Sequence, residues 1–542
     1  MTPAEWLAAY IDGDAEVRPW YRGPAFDFSG ILAERARRGW EPPTAEEMDE
    51  WDGWLAAHGA GDQVRARARL FAEPDTLCVA TGQQAGLGLG PLYTLHKALA
   101  TARWAAELER ATARPVVPVF WIASDDHDFA EAAATCWLDA EGRPREHRLA
   151  QPDGRVGAPI HDLPIAPEQW DAFLADFTGS TRATGFSPEL SELLKRAGGT
   201  LESHFATVFN QLLGALGIVP VVPRLGFLRR RGAEVFRREL ATNGLATTLL
   251  AERAAALRER FGLEAIHRDG TELNYFREWG PPGALVRAKA VRSGDGYALT
   301  HPASKETLAR WSAAELEADL AEHWRHWSPN AATRPLVQDL ALPTLGYVAG
   351  PGEAVYHAQI GPLYDLLGVP RPAVLPRPSL LLLEPRIERA LAKFDLSPTG
   401  AAALTPALLE SRLSPGGGGA GSVGLAGHLG AALDAWIAEL GPDAGDEAVA
   451  KGAAKLRDSL AQNAARLEER VAAVRARRAD TLDAQRRKVL DALAPFGEPQ
   501  ERRLGLLAPL LLNYGTGAPA RLLDSLPTLR IPGRYPAVAR LG

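Results

Sequence analysis

The segment SDDHDFAE (124–131) sets three carboxylates and an imidazole at positions 125–128. It follows RPVVPVFWIAS (114–124), an apolar run that reads as a strand. The cluster therefore sits at a strand C-terminus, where doubly wound sheets gather ligands. Asp126, His127 and Asp128 are of types that act as general acid and base or bind a metal. The same residues also suit a helix N-cap, with Glu131 three positions after Asp128. No second His or Asp set is spaced to complete a coordination shell, so no metal is expected.

Two glycine-containing loops frame this cluster. In TGQQAGLGLGPLYTLHKA (81–98), Gly82, Gly86, Gly88 and Gly90 precede a helix that begins near Pro91. The dinucleotide fingerprint fails here, because Tyr93 stands where its third glycine belongs. The ATPase phosphate loop fails as well, because Pro91 follows Gly90 and Lys97 lies two turns into the helix. Two readings are left. One is an anion held by the loop Gly82–Gly90 and free amides at the helix start. The other is a tight turn that needs glycine only for its dihedrals. Gln83, Gln84, Tyr93, Thr94 and Lys97 have the polarity to orient a substrate. The second loop, AGPGEAVYHAQIGPLY (349–364), repeats the grammar: strand, Gly350-Pro-Gly352, helix, with Glu353 in the first turn and Tyr356 and Gln359 behind it. Arg334 and Gln338, just upstream, would reach the same mouth, and an arginine there suits a carboxylate.

Positioning these loops takes a parallel sheet. TLCVATGQQ (76–84), LGIVPVVPR (216–224), LPTLGYVAG (342–350) and PAVLPRPSLLL (372–382) read as further strands, with the helix 91–110 completing one βαβ unit. The fold class expected is α/β, a Rossmann-like core with insertions near 140–205 and 230–335. EAIHRDGTELNYF (264–276) and GALVRAKAVRSGDGYAL (283–299) read as a small β-rich part. Residues 1–60, rich in tryptophan, read as helices packed on the core at 61–383. After residue 384 the texture changes. SPGGGGAGS (414–422) reads as a flexible joint. Residues 453–494 then contain no Gly or Pro, and Leu456, Leu460, Leu467, Val471 and Val474 keep a 3–4 spacing, broken at Arg478 and resumed at Leu482. That is a long amphipathic helix suited to a coiled coil. The arm is set at 384–500, and residues 501–542 are expected to return to the body.

With 60 basic and 67 acidic residues the net charge is −7, which argues against nucleic acid as a partner. Two cysteines, Cys78 and Cys136, exclude a disulfide framework and a thiolate zinc site. The start, MTPAEWLAAYIDGD, shows no signal-peptide pattern and no apolar run reaches membrane length, so a cytoplasmic location without membrane contact is expected.

TGQQAGLGLGPLYTLHKA, PVFWIASDDHDFAE and RPLVQDLALPTLGYVAGPGEAVYHAQIGPLYDLLGV together resemble the cysteine-adding enzymes of bacillithiol biosynthesis. Gly88-Leu89, Ser124 and GTELNYF (270–276) depart from the pattern of that family. The resemblance implies a Rossmann-like core with inserted connecting segments, a coiled-coil arm and a homodimer built through it. It implies a ligase that joins the carboxyl of L-cysteine to the amine of glucosaminyl-malate. Amide formation from a carboxylate needs activation, so ATP is expected from the reaction, although no H-x-G-H signature is present and PRPSLLL offers only Arg377. Asn513 and Tyr514 in LLNYGTG are the expected nucleotide contacts. Three rival readings stay open on the residues alone: a nucleotide-sugar glycosyltransferase, a zinc hydrolase, and a non-catalytic, metabolite-binding coiled-coil dimer. All of the proposed chemistry requires Gln83, His127 and Glu353 to meet at one end of one sheet.

Overall fold

The computed structural model describes residues 1–196, 198–264, 266, 271–414, 424–526 and 536–540. Its centre is a five-stranded, wholly parallel sheet. The strands are β1 (Leu77–Gln84), β2 (Val116–Ala123), β3 (Val219–Val221), β4 (Thr344–Ala349) and β5 (Ala373–Pro376), in spatial order β5-β4-β1-β2-β3. Both faces are covered, which is why the strands read as near-continuous apolar runs. Alternate residues of β1 divide between two cores: Leu77 and Val79 join Trp104 and Val116 on one face, while Cys78 and Ala80 join Val117 and Val119 on the other. From β1 the chain winds outward through β2 to β3; it returns to the other side of β1 for β4 and β5. The direction therefore reverses between β1 and β4, and a crevice opens at their C-terminal ends.

Helix α1 (Leu92–Thr112) connects β1 to β2, and its buried face includes Leu92, Leu95, Leu99 and Ala102. Helices α2 (Arg334–Ala341) and α3 (Pro351–Gln359) flank β4. The N-terminal residues form helices that pack on this core: Trp6 and Trp51 are fully buried, Trp51 Nε1 donates to the Pro220 carbonyl (3.2 Å), and Tyr21 OH donates to the Ala354 carbonyl (2.8 Å). The β-rich insertion is a second, antiparallel sheet of five strands that includes Glu272–Trp279 and Val286–Ser293. The expected strand at 372–382 is two. The first strand ends at Pro376, and after residues 377–379 Leu380–Leu382 pairs instead with Ala537–Ala539, so the tail does return to the body.

The arm consists of α4 (Leu425–Glu439) packed on α5 (Glu447–Leu493), whose 47 residues reach about 70 Å at 1.5 Å per residue. Leu456, Leu467, Val471, Val474 and Leu482 stay exposed along α5. The expected joint at 414–422 lies, apart from Ser414, outside the described residues, as does the Arg478 side chain. No helix among the described residues is long and apolar enough to cross a membrane.

Candidate functional site at the sheet's switch point

The two glycine loops and the acidic corner meet at the C-terminal ends of β1, β2 and β4, joined by hydrogen bonds. Lys97, only 4% exposed on the second turn of α1, donates to the Gly82 carbonyl (2.9 Å) and to Gln83 Oε1 (3.0 Å), and pairs with Glu353 Oε2 at 2.7 Å. Gln83 in turn donates to Tyr93 OH (3.1 Å), and its neighbour Gln84 donates to Asp126 Oδ2 (2.7 Å). The first loop, the second loop and the acidic corner thus belong to one network. Glu353 stays ionised: burial alone would raise its pKa, but Lys97, the Gly350 N–H (2.9 Å) and Tyr347 OH (2.8 Å) hold it below the usual carboxylate range.

The glycine loop itself is a demanding turn. Gly88, Leu89 and Gly90 all have positive φ (64°, 68° and 66°), a left-handed stretch that glycine adopts without penalty. Its amides are largely taken. Gly86 N–H bonds to the Gln84 carbonyl, Gly88 N–H to His204 Nε2, Gly90 N–H to the Leu87 carbonyl and Leu92 N–H to the Leu504 carbonyl, all at 2.8–3.1 Å. The expectation that bare amides of this loop hold an anion is therefore corrected: the turn needs its glycines for shape. Gly90 lines an open cleft of about 740 Å³ beside Gln83, Gln84 and Tyr93. Thr94 is buried and its hydroxyl has no partner among the described residues.

At the acidic corner, Ser124 is buried and donates to Glu202, which Arg224 locks at 2.6 Å. Asp128 serves as the N-cap of the short helix Phe129–Ala132, accepting the Glu131 N–H at 3.1 Å. Asp126 and His127 stand half-exposed at the mouth. Arg287, buried in the insertion sheet, lies 3.3 Å from Asp126 Oδ1, 3.4 Å from His127 Nδ1 and 3.9 Å from Asp125 Oδ2. Burial raises the buried Asp125 carboxyl, and its Oδ2 has no hydrogen-bond partner among the described residues. Asp126 is held below the usual range despite its burial, by Arg287, Gln84 and the His127 N–H. His127 is pushed below 6.5 by burial and then by Arg287, with Lys289 adding to the shift. Phe276 closes this side, its ring 5.5 Å from the imidazole and 4.1 Å from the Arg287 guanidinium. Arg287, Lys289 and Phe276 escaped the sequence reading. The one signal was the alternation in VRAKAV, which puts Arg287 and Lys289 on one face of a strand.

On the β4 side, Arg334 donates to Gln338 Oε1 (3.1 Å), Tyr347 OH (3.3 Å) and Tyr356 OH (3.4 Å), and no carboxylate among the described residues lies within ion-pair distance of it. It is a half-buried cation steadied by neutral groups. Gln338 is wholly buried and supports it from below. Gly350 caps α3 and Gly352 faces open space. Gln359 needs correction: it is wholly buried, its amide donating to the carbonyls of Leu250 and Ile266 and accepting the Ile266 N–H. Those backbone groups of the insertion consume it, so it does not line the mouth. Asn513 and Tyr514 lie elsewhere, Asn513 beside Arg182 and Arg386 in a separate hollow of about 590 Å³ and Tyr514 against Leu382 and Glu384. Arg377 is clamped by Glu501 (2.7 and 2.8 Å) and is not open to a phosphate. No cluster of three metal-binding side chains occurs among the described residues.

A doubly wound sheet with a polar, half-buried mouth at its switch point defines a Rossmann-like protein. The chain matches, over residues 6–378, the family described as "Bacillithiol biosynthesis BshC, N-terminal Rossmann-like domain", and it belongs to that family. A relative from Heliobacterium modesticaldum is 34% identical over 441 residues, covering 75% of this chain and 74% of its own length. One from Salinibacter ruber is 31% identical over 404 residues, covering 73% and 69%. Both are named "Putative cysteine ligase BshC".

Proposed function

We propose that this chain joins the carboxyl of L-cysteine to the amino group of glucosaminyl-malate, the closing amide bond of bacillithiol. The observation that carries the reading is the single network running from Glu353 through Lys97 and Gln83 to Tyr93, with Gln84 tying the same loop to Asp126. It holds three segments remote in sequence around one mouth. Family membership supports a ligase over a glycosyltransferase, a zinc hydrolase or a non-catalytic sensor.

In this reading the chain's residues orient substrates and move one proton. Arg334, open to a carboxylate, seats the amino acid beside Tyr356. Gln83, Gln84 and Tyr93 orient the sugar. Burial and Arg287 keep His127 neutral at physiological pH. Arg287 can only donate to Nδ1 at 3.4 Å, so in the neutral ring Nδ1 is the basic nitrogen, and it takes the proton the amine loses as the C–N bond forms, with Asp126 Oδ1 3.5 Å away to receive the N–H. Such a base is worth on the order of a hundredfold. ATP, when bound, would supply the activation of the carboxylate; Asn513, with Arg182 and Arg386 beside it, and Tyr514 are the residues proposed to hold it. The exposed apolar row on α5 supports a homodimer paired through the arm. Mass spectrometry of purified protein with cysteine and glucosaminyl-malate, with and without ATP, tests both parts. Product that forms equally well without nucleotide removes ATP; no product under either condition removes the ligase reading.

A further inference from the structure

The cleft beside the glycine loop has a far wall that the chemistry above does not use. It is built by the hairpin Ala134–Leu138/Pro144–Arg148 and by the returning tail at Arg502–Gly505. Three guanidiniums line it. Arg148 and Arg503 share one carboxylate, Glu146, at 2.9 and 2.5 Å. Arg502 is exposed and makes no ion pair among the described residues. Two donors on this wall are buried and unspent: Arg503 Nε and the hydroxyl of Thr135, a residue only 5% exposed. The Thr135 hydroxyl sits where only glycine lets the neighbouring backbone pass. A Cβ on Gly505 would lie 2.7 Å from it and one on Gly88 3.3 Å. Against these stand Glu146, already neutralised, and Glu131, whose carboxyl burial, Asp128 and Asp126 push up. Unpaired donors facing a cleft with surplus positive charge call for an oxyanion. The amides of Gly86, Gly88, Gly90 and Leu92 are already engaged, by the turn itself, His204 and Leu504.

We propose that this cleft is an oxyanion subsite in which Arg502, Arg148 and the Arg503–Thr135 wall hold the acidic end of a ligand whose reacting end lies at the mouth. The oxyanion is a carboxylate of the sugar's dicarboxylic acid or a phosphate of a nucleotide. Only that choice of ligand rests on the ligase reading.

The test is isothermal titration of the full-length protein with L-malate and, separately, with tripolyphosphate, on wild type, Arg502→Ala and Thr135→Val. Arg502 is exposed and Thr135→Val keeps its shape, so unchanged thermal transitions are expected for both. Removal of Arg502 should weaken the bound anion by about tenfold or more, the worth of one charge-assisted hydrogen bond, and Thr135→Val by a smaller factor. A loss confined to malate identifies the sugar acid as the guest, and one confined to tripolyphosphate identifies the nucleotide. Wild type that binds neither anion, or variants that bind both as wild type does, overturns the subsite. An amide-forming assay separates the two readings: in Arg502→Ala the KM for glucosaminyl-malate should rise while that for a glucosaminide with a neutral aglycone stays. Anion binding lost in the variant with no turnover in wild type sinks the ligase reading and leaves the subsite. Turnover with anion binding and KM unmoved does the reverse.

Discussion

Replacing Lys97 by Met probes the network that ties the two loops together. At 2.7 Å the Lys97–Glu353 pair attracts by about 6 kcal/mol at an effective dielectric of about 20. Much of that offsets the cost of taking both charges out of water. Removing one partner exposes that cost: Glu353 keeps its charge beside Tyr347 and the Gly350 amide but loses its counter-ion, a loss worth about 3–5 kcal/mol. The Gly82 carbonyl and Gln83 Oε1 lose their donor as well. Gln83 then loses its register against Tyr93, and a displacement of about 1 Å at a substrate contact costs roughly a hundredfold in rate. Glu353→Gln removes the other charge, and Lys97→Met/Glu353→Gln leaves none buried. The double variant should therefore be less destabilised than the sum of the singles by about 2 kcal/mol. Equilibrium urea unfolding, followed by emission of the buried Trp104 and Trp121, measures the cycle. Effects that add within about 0.5 kcal/mol, or a Lys97→Met variant that turns over like wild type, would refute the network as the device that sets the mouth.

His127→Ala should lower turnover about a hundredfold with an unchanged thermal transition; wild-type turnover removes the imidazole from the mechanism. Because the His127 pKa lies below 6.5, the neutral base persists as pH falls. The acid limb of kcat/KM should lie below pH 6.5, and Lys289→Met should move it up; a limb that stays put denies Lys289 its influence. Glu501, whose pKa Arg377 holds well below 4.5 despite its burial, stabilises the fold fully above the unfolded carboxyl's pKa and loses that contribution as pH falls through its own depressed value. Glu501→Gln should thus cost about 3–5 kcal/mol at neutral pH, with the gap to wild type narrowing below about pH 4, as urea titrations at several pH values would read. Val471→Asp/Val474→Asp should convert a dimer to a monomer without unfolding the core, and light scattering that finds equal mass for both proteins rejects the arm as the dimer contact.

Much of this architecture was legible in local patterns. Apolar runs that break into glycine turns identified β1, β2 and β4, because a parallel strand buried on both faces leaves no room for polar residues. The absence of Gly and Pro over 453–494 announced α5, because each weakens a helix interior, by about 1 and 3 kcal/mol; the structure carries the helix further back, through Gly452 to Glu447. Asp128 as a cap was readable from its spacing to Glu131. Other features were not. Gln359 is polar on a helix at the mouth, and only the inserted chain at Leu250 and Ile266 shows that its amide is consumed. The run 372–382 is uniformly apolar, and nothing local says that it splits to pair with residues more than 150 positions away.

By itself the sequence determined which segments become strands, turns and helices and which polar residues fall at their ends, because backbone preference and hydrophobic period act over a few residues. The tertiary structure alone decided that His204 and the Leu504 carbonyl would take the Gly88 and Leu92 amides, that Arg287 and Lys289 would come from an insertion to set the charge of Asp126 and His127, and that Lys97 would face Glu353. Those outcomes depend on charges and donors brought within 3–4 Å from distant parts of the chain, where burial makes each unmet partner costly.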